Sequence, residues 1–278
     1  MLLKIILAMV AFAANSLLCR LALKGLHMDA VSFSSVRLLS GAIALFLLLQ
    51  LPALKKKPEF NGLNASLLAL YVFAFSIAYV SMGAAMGALL LFGTVQLVMT
   101  GWGFMRGERL TPLKAVGIVA AMVGLVLLLL PGAAHPPLTA ALMMIVSGIA
   151  WGLYCITGKR VQNAAATAGN FILAVPIALV VFLLSGMQTH MDASGLMLAV
   201  TSGALASGAA YLLWYSLLPM LSPATASTLQ LSVPCLAALG GMVFLGEALT
   251  ARMLISIAVT LSGIGMVIYA DRSRNTKE

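Results

Sequence analysis

Ten apolar stretches, each close to twenty residues long, dominate this sequence and limit what it can fold into. An α-helix needs about 20 mainly apolar residues to cross the hydrocarbon core of a bilayer. Only short connections separate the stretches, which leaves little chain for a domain outside the membrane. The stretches cover residues 3–22, 31–51, 64–83, 85–105, 111–130, 138–158, 166–186, 195–217, 224–245 and 251–270. We therefore predict an all-α integral membrane protein with ten transmembrane helices.

The composition excludes the main classes of water-soluble protein. Hydrophobic residues make up 62% of the chain and charged residues 8%, whereas a soluble globular domain carries about 25% charged residues. Because too few polar side chains remain to cover a surface in water, a soluble enzyme, a nucleic-acid-binding domain and a disordered chain are excluded. The net charge of +9 then indicates cytoplasmic loops rather than a nucleic-acid partner.

The distribution of Lys and Arg predicts the orientation in the membrane. If the N-terminus is cytoplasmic, the inner connections carry twelve of these residues and the outer connections three. Arg37 lies within a span, and these counts together account for all sixteen. Because cytoplasmic loops are enriched in Lys and Arg, both termini are predicted to be cytoplasmic.

The two halves of the chain repeat a short motif. Gly-Glu-Arg-Leu-Thr at 107–111 recurs as Gly-Glu-Ala-Leu-Thr at 246–250, an offset of 246 − 107 = 139 residues, half the chain length. Gly124 and Gly263 are separated by the same offset. Consistent spacing of this kind indicates an internal repeat.

Each repeat contains five predicted helices, so the second repeat enters the membrane from the opposite face. The halves are therefore predicted to form an inverted-topology pair, which is typical of secondary transporters with a binding site near the midplane. The predicted units are the first repeat at 1–131, the second repeat at 138–271 and a cytoplasmic tail at 272–278.

These motifs resemble those of the EamA-type transporters of the drug/metabolite transporter superfamily. The resemblance rests on Gly-Glu-x-Leu-Thr before the last helix of each half, and on the stretches at 210–215, 229–234 and 244–247. It covers nearly the whole chain, and it implies a central cavity between the halves and a location in the bacterial inner membrane. Members of this family export amino acids, other metabolites or toxic compounds.

The expected function is therefore secondary transport, with export of a small metabolite such as an amino acid by alternating access. Sugars or nucleotide-type metabolites and toxic compounds are alternative cargoes. A non-transporting lipid-handling or scaffold protein is the alternative from a different class. An enzyme is not expected, because no catalytic acid, His or metal-binding pattern lies within the spans.

Polar and aromatic residues that share helical faces are candidates for the lining of the cavity. Lipid cannot satisfy polar groups, so such faces are expected to point into the bundle. Tyr71 and Ser207 lie on two of these faces. The candidate substrate-binding residues are Asn15, Tyr79, Gln96, Trp151, Tyr154, Tyr211, Trp214 and Gln230. The alternative interpretation is that the same side chains only pack helices together.

Arg37 is a further candidate, because it is the cation placed within a predicted span. Its side chain could extend to the outer headgroups. It could instead face the central cavity and hold a carboxylate or a phosphate. The resemblance implies a structural or gating role for an Arg near this position.

Two prolines are predicted to bend helices of the second half. Pro176 and Pro234 lie near the middle of the seventh and ninth stretches, where proline removes a backbone hydrogen bond. At the offset of 139 residues, the first half has Arg37 and Val95 instead. We therefore predict that Pro176 and Pro234 act as hinges for one gate.

The remaining chemistry-bearing residues predict neither a cofactor nor a metal site. Cys19, Cys155 and Cys235 lack metal-binding spacing, and the acidic residues and histidines fall outside the middle of the spans. Glu108 and Glu247 are expected to satisfy the N-terminal amides of the fifth and tenth helices, with a role in gating as the alternative. The expected partners are a small-molecule substrate and membrane lipids but no nucleic acid, with a monomer favoured and a homodimer as the alternative.

Overall fold

In the computed structural model of the protein, the described residues form ten helices. The structure describes residues 1–25, 27–52, 56–108, 110–129, 136–159, 163–185, 190–245 and 251–275. The helices are α1 Leu2–Lys24, α2 Ala30–Leu48, α3 Gly62–Ser81, α4 Ala84–Met105, α5 Pro112–Leu129, α6 Leu138–Gly158, α7 Ala164–Leu184, α8 Ala193–Met220, α9 Pro223–Gln230 with Ser232–Leu245, and α10 Ala251–Asn275.

Eight of these helices are long and apolar enough to cross a membrane, and α5 and α10 have shorter apolar segments, Pro112–Leu127 and Leu254–Ala270. Large apolar side chains such as Leu7, Phe46 and Val119 are exposed on the outside of the bundle. An apolar exterior is what a lipid environment requires. The prediction of an all-α membrane protein is confirmed.

Short polar side chains cap the beginnings of many helices. Asp29 accepts hydrogen bonds from two amides of the first turn of α2, and Asn163 does the same for α7. Asn61, Asp192 and Ser222 cap α3, α8 and α9. Since the first amides of a helix have no partner within the helix, these side chains favour the observed beginnings of the five helices that they cap.

Two helices of the second half are irregular. The segment Ala204–Ala209 of α8 is a π-helix, and α9 is interrupted at Leu231. Pro234 follows this interruption and lacks the amide that would bond to the carbonyl of Gln230. Pro176 lies inside α7, which continues uninterrupted, and is exposed on the outside of the bundle. The proposed hinge role of the two prolines stays a prediction.

The helices pack as a central group with a peripheral pair. The peripheral pair is α5 and α10, which share the most extensive contact in the bundle. Among the other helices, α3 and α4 pack on α6, α8 and α9 pack on α1, α2 packs on α7 and α8, and α4 packs on α9. The middle of the bundle is therefore built from both halves of the chain.

Contacts between connections identify two ends of the bundle. The α1–α2 connection pairs with the α7–α8 connection, where Met28 and Met191 form an antiparallel bridge. At the opposite end, the amide of Glu59 donates to the carbonyl of Ala165, next to the α2–α3 and α6–α7 connections. We call the end with the α1–α2 connection the outer end and the opposite one the inner end, following the predicted orientation.

Glycines allow close approach of α5 and α10. A Cβ atom on Gly263 would lie 2.5 Å from both the Gly117 carbonyl oxygen and the Ala121 amide nitrogen, and a Cβ on Gly117 would lie 2.8 Å from the Gly263 carbonyl. Backbone atoms cannot move aside as a flexible side chain can. Small residues at such crossings are a common basis of helix association in membranes.

We expect Gly263→Ala to lower the melting temperature of the purified protein, because the added methyl group forces the two backbones apart at a cost of about 1–3 kcal/mol. Gly265→Ala is the matched control, since a Cβ there meets nothing within 4 Å. That change should be neutral or stabilising, because alanine favours a helix by up to about 1 kcal/mol over glycine. Equal melting temperatures for the two variants would contradict the close packing.

Candidate functional site

Aromatic rings from four helices meet in the middle of the bundle. The ring of Phe12 contacts those of Trp151, Tyr211 and Trp214 edge-on, with centroids 5.6, 6.0 and 5.8 Å apart. Trp151 also lies 4.8 Å from Tyr211 and 5.0 Å from Tyr71, between ring centroids. We call these five rings from α1, α3, α6 and α8 the aromatic cluster. It joins helices of the two halves.

Arg37 of α2 lies beside this cluster. Its Nε donates to Ser207 Oγ at 2.9 Å, and its Nη2 donates to the hydroxyls of Tyr71 and Tyr211, both at 3.1 Å. Its Cζ is 5.3 and 5.2 Å from the ring centroids of Tyr71 and Phe75, within the range of cation–π attraction. One guanidinium therefore links α2, α3 and α8.

The position of Arg37 distinguishes the two interpretations of this residue. Its exposed fraction is 0%, so the side chain does not extend to the outer headgroups. Nη1 has no hydrogen-bond partner among the described residues. No ion pair between described residues includes Arg37. The site thus contains a positive charge with an unused donor nitrogen.

A second polar group lies between α4, α6 and α9. The indole nitrogen of Trp151 donates to Gln230 Oε1 at 2.7 Å. Gln96 donates to Thr100 at 2.9 Å and accepts from Thr228 at 3.3 Å. These hydrogen bonds satisfy amide groups that lipid could not satisfy. They also cross from α4 and α6 to the segment that precedes the interruption of α9.

Among the described residues, the centre of the bundle is closed around one small cavity. A cavity of about 10 Å³ lies next to Asn15, Phe75 and Trp151, and this is about the room that one water molecule needs. The side-chain oxygen of Asn15 accepts a hydrogen bond from Ser202 at 2.6 Å. A solute larger than water can enter this region only after helices separate.

The structure brings most of the predicted site residues together. Trp151, Tyr211 and Trp214 belong to the aromatic cluster, and Tyr154 contacts Trp151. Tyr79 lies at the edge, where its hydroxyl donates to the carbonyl of Ala84. The described residues predicted to bind substrate are all buried, namely Asn15, Arg37, Tyr79, Gln96, Trp151, Tyr154, Tyr211, Trp214 and Gln230. Their role in binding stays a prediction.

Asn170 of α7 was not predicted from the sequence as a site residue. It is fully buried, its nitrogen donates to the hydroxyl of Tyr154 at 3.4 Å, and its oxygen has no partner among the described residues. An asparagine about one turn into the mainly apolar stretch at 166–186 is a signal that could have identified it, since buried amides need partners.

Glu108 and Lys114 form a largely buried ion pair at the inner end. Glu108 Oε1 lies 3.0 Å from Lys114 Nζ, and the side chains are 13% and 5% exposed. Lys114 also donates to Ser222 at 2.9 Å, and Glu108 Oε2 accepts from the amide of Ala224 at 3.4 Å. These contacts connect the α4–α5 segment of one half to the beginning of α9 in the other.

The prediction that Glu108 satisfies the amides of α5 is wrong. Thr111 accepts from the amide of Lys114 at the beginning of α5, while Glu108 reaches the first turn of α9. Sequence proximity favoured the adjacent helix, but folding places a distant helix N-terminus closer to the carboxylate. Glu247, for which the same prediction was made, lies outside the described residues.

His27 and Asp192 connect the halves at the outer end. His27 Nδ1 and Asp192 Oδ2 are 2.7 Å apart, and the amide of Asp192 donates to the carbonyl of His27 at 2.9 Å. The amide of Gly195, together with His27, holds the pKa of the Asp192 carboxyl below its usual value of 3.8. Both side chains are partly exposed to solvent.

Because the folded protein lowers the pKa of Asp192, this residue stabilises the fold above that usual value and stops doing so as the pH falls through the folded pKa. Asp192→Asn keeps a capping oxygen for Gly195 but removes the titration. We expect the melting temperature of the original protein to fall more steeply below about pH 4 than that of the variant. Parallel curves would argue against the ionic contribution.

The second half of the chain matches a known protein family. Residues 138–269 match the model of the EamA-like transporter family. The threonine/homoserine exporter RhtA of Salmonella typhimurium is 30% identical over 238 residues, which cover 82% of this chain and 75% of the relative. This chain belongs to the EamA-like transporter family.

Other relatives extend this family similarity. An uncharacterized protein of Pseudomonas aeruginosa is 46% identical over 275 residues, covering 98% of this chain and 96% of the relative. The threonine/homoserine exporter RhtA of Escherichia coli is 28% identical over 235 residues, covering 82% and 75%. One crystal structure superposes with a TM-score of 0.74 at 17% identity, covering 94% of this chain and 98% of that protein, which shows the shared fold.

Proposed function

We propose that this EamA-family protein is a secondary transporter that exports a small amino acid, or a metabolite of similar size and polarity, across the bacterial inner membrane. The observation that carries this proposal is the position of the aromatic cluster and its polar neighbours. They are buried where α1, α3, α6 and α8 meet, in a bundle whose exterior is apolar. Intramembrane polar groups of this kind are typical of a solute pathway.

The chemistry of the buried side chains favours a small amphiphilic solute. Aromatic rings supply apolar walls, and the amides of Gln96 and Gln230 supply a few donors and acceptors, which is typical of small-molecule sites. Two relatives are threonine/homoserine exporters. An amino acid with a short polar side chain fits both observations.

Alternating access is the proposed mechanism, with the two halves as inverted repeats. The packing supports this, because contacts in one half have counterparts in the other. If each helix is replaced by the helix at the same position in the other repeat, the α3–α6 contact corresponds to the α8–α1 contact, and the α4–α6 contact corresponds to the α9–α1 contact. All four contacts are present. The closed centre is then an intermediate between two open states. Opening the inner end would separate Glu108 and Lys114 from the beginning of α9, with Pro234 as a hinge within α9 and Pro176 as one within α7.

The alternative cargoes are less compatible with the described charges. A nucleotide or another phosphate monoester carries about two negative charges on its terminal phosphate. Besides Arg37, the partly or fully buried cations Arg20, Lys114 and Lys159 already donate to protein oxygens. A toxic organic compound without an anionic group could use the aromatic walls, but it would leave Arg37 Nη1 without an acceptor among the described residues. A non-transporting scaffold would not need a buried polar centre.

The proposed orientation can be tested with single introduced cysteines. The three native cysteines are buried, so they give little background labelling. In intact cells, a cysteine replacing Lys56 should be protected from a membrane-impermeant thiol reagent, because the inner loops face the cytoplasm. A cysteine replacing Asp192 should be labelled. The reverse labelling pattern would overturn the orientation but not the transport function.

Transport can be tested with purified protein in liposomes that are loaded with threonine or homoserine. We expect Trp151→Ala, Tyr211→Ala and Gln96→Ala to weaken transport about tenfold or more, because each removes an aromatic wall or a buried polar partner. The measurement is counterflow of the labelled amino acid. Trp102→Ala is the control, since Trp102 lies near the inner end of α4 and is stacked on Arg106.

Each variant must also elute as a single species and insert into liposomes, so that misfolding is separated from loss of function. If the three variants transported as well as the control, the pathway would lie elsewhere in the bundle. Absence of counterflow in the original protein for amino acids of every side-chain class would refute the proposed cargo.

A further inference from the structure

The guanidinium of Arg37 has donors that the fold does not use. Of its five N–H groups, the Nε group donates to Ser207, and the two groups on Nη2 donate to Tyr71 and Tyr211. Nη1 has no partner among the described residues. A role in holding α2, α3 and α8 together accounts for Nε and Nη2. It does not account for Nη1.

Among the described residues, no acidic group compensates the positive charge of Arg37. Its hydrogen-bond partners are three hydroxyl groups, and no ion pair between described residues includes it. The described acidic side chains Asp29, Glu59, Glu108 and Asp192 lie at helix ends or in connections. A buried charge is costly unless an opposite charge meets it. A bound anion would both neutralise the guanidinium and accept from Nη1.

We propose that Arg37 Nη1 binds the carboxylate of the transported solute. This proposal rests on the proposed transport function and specifies the chemical class of its cargo. A carboxylate carries one negative charge and matches the single charge of Arg37, and charge-assisted hydrogen bonds of this type are strong. A phosphate monoester would leave excess negative charge in the membrane interior.

The residues around Arg37 suggest where the rest of such a solute lies, namely against the aromatic cluster. The guanidinium touches Tyr71 and Tyr211, and both rings contact Trp151. A solute anchored at Nη1 would therefore lie near these rings, and aromatic surface attracts an ammonium group. An amino acid carries both a carboxylate and an ammonium group. Because the neighbouring cavity of about 10 Å³ admits about one water, the carboxylate reaches Nη1 only after the halves separate.

The proposal is tested by comparing threonine with threonine amide, which keeps the amine and the side chain but has no carboxylate. Both compounds compete for counterflow of labelled threonine in liposomes that contain the full-length protein. We expect the original protein to prefer the acid by at least about tenfold, as loss of a charged hydrogen-bond partner predicts. Arg37→Gln should abolish this preference. Arg37→Lys should weaken threonine binding, because an ammonium lacks the planar donor geometry of a guanidinium, but it should keep part of the preference for the acid because its positive charge remains.

The ratio of the two affinities does not depend on the amount of folded protein, so a purely structural role of Arg37 would not change it. Arg106→Gln is the control, because it removes a charge from the inner end of α4 and should keep the preference. If Arg37→Gln does not fold, Arg37→Lys decides the question.

Two outcomes overturn the carboxylate site alone: equal competition by acid and amide in the original protein, or an unchanged preference in the Arg37 variants. In both cases threonine is still transported, so the proposed function survives. If the original protein transports neither compound nor any other amino acid, the proposed function fails, and the carboxylate site fails with it.

Discussion

The burial of one guanidinium organises the middle of this bundle. Lipid offers no partner for a charge or for a hydrogen-bond donor, so the helices around Arg37 must supply hydroxyl groups and aromatic faces. Ser207, Tyr71 and Tyr211 do so from α8 and α3. The π-helical segment of α8 includes Ser207, so an irregular stretch of backbone presents one of these partners. The aromatic cluster forms directly beside this network.

The two ends of the bundle are closed by different chemistry. At the inner end, Lys114 is buried, Glu108 is largely buried, and their hydrogen bonds reach the beginning of α9. At the outer end, His27 and Asp192 are partly exposed, where solvent weakens an ion pair. Water and salt reach the outer contact more readily than the inner one.

Two kinds of small residue make the packing and the boundaries of the helices possible. Glycines at the α5–α10 crossing allow backbones to approach directly, which compensates for the absence of a hydrophobic driving force between helices in lipid. Capping residues such as Asp29 and Asn163 fix where spans begin. The peripheral α5–α10 pair is therefore packed through backbone contacts, whereas the central helices meet through large side chains and buried hydrogen bonds.

The sequence alone determined the membrane class, the ten helices and most of the buried polar set, because a bilayer imposes length and polarity rules that are local in the chain. It did not decide whether Arg37 extends to the headgroups or turns inward, since both positions suit an arginine two turns into a span. The sequence favoured hydrogen bonds from the amides of the adjacent α5 to Glu108, and it did not identify Asn170 as a buried polar residue. Only the tertiary structure decided these points, because the partners of a buried polar group come from helices that are distant in sequence and adjacent in space.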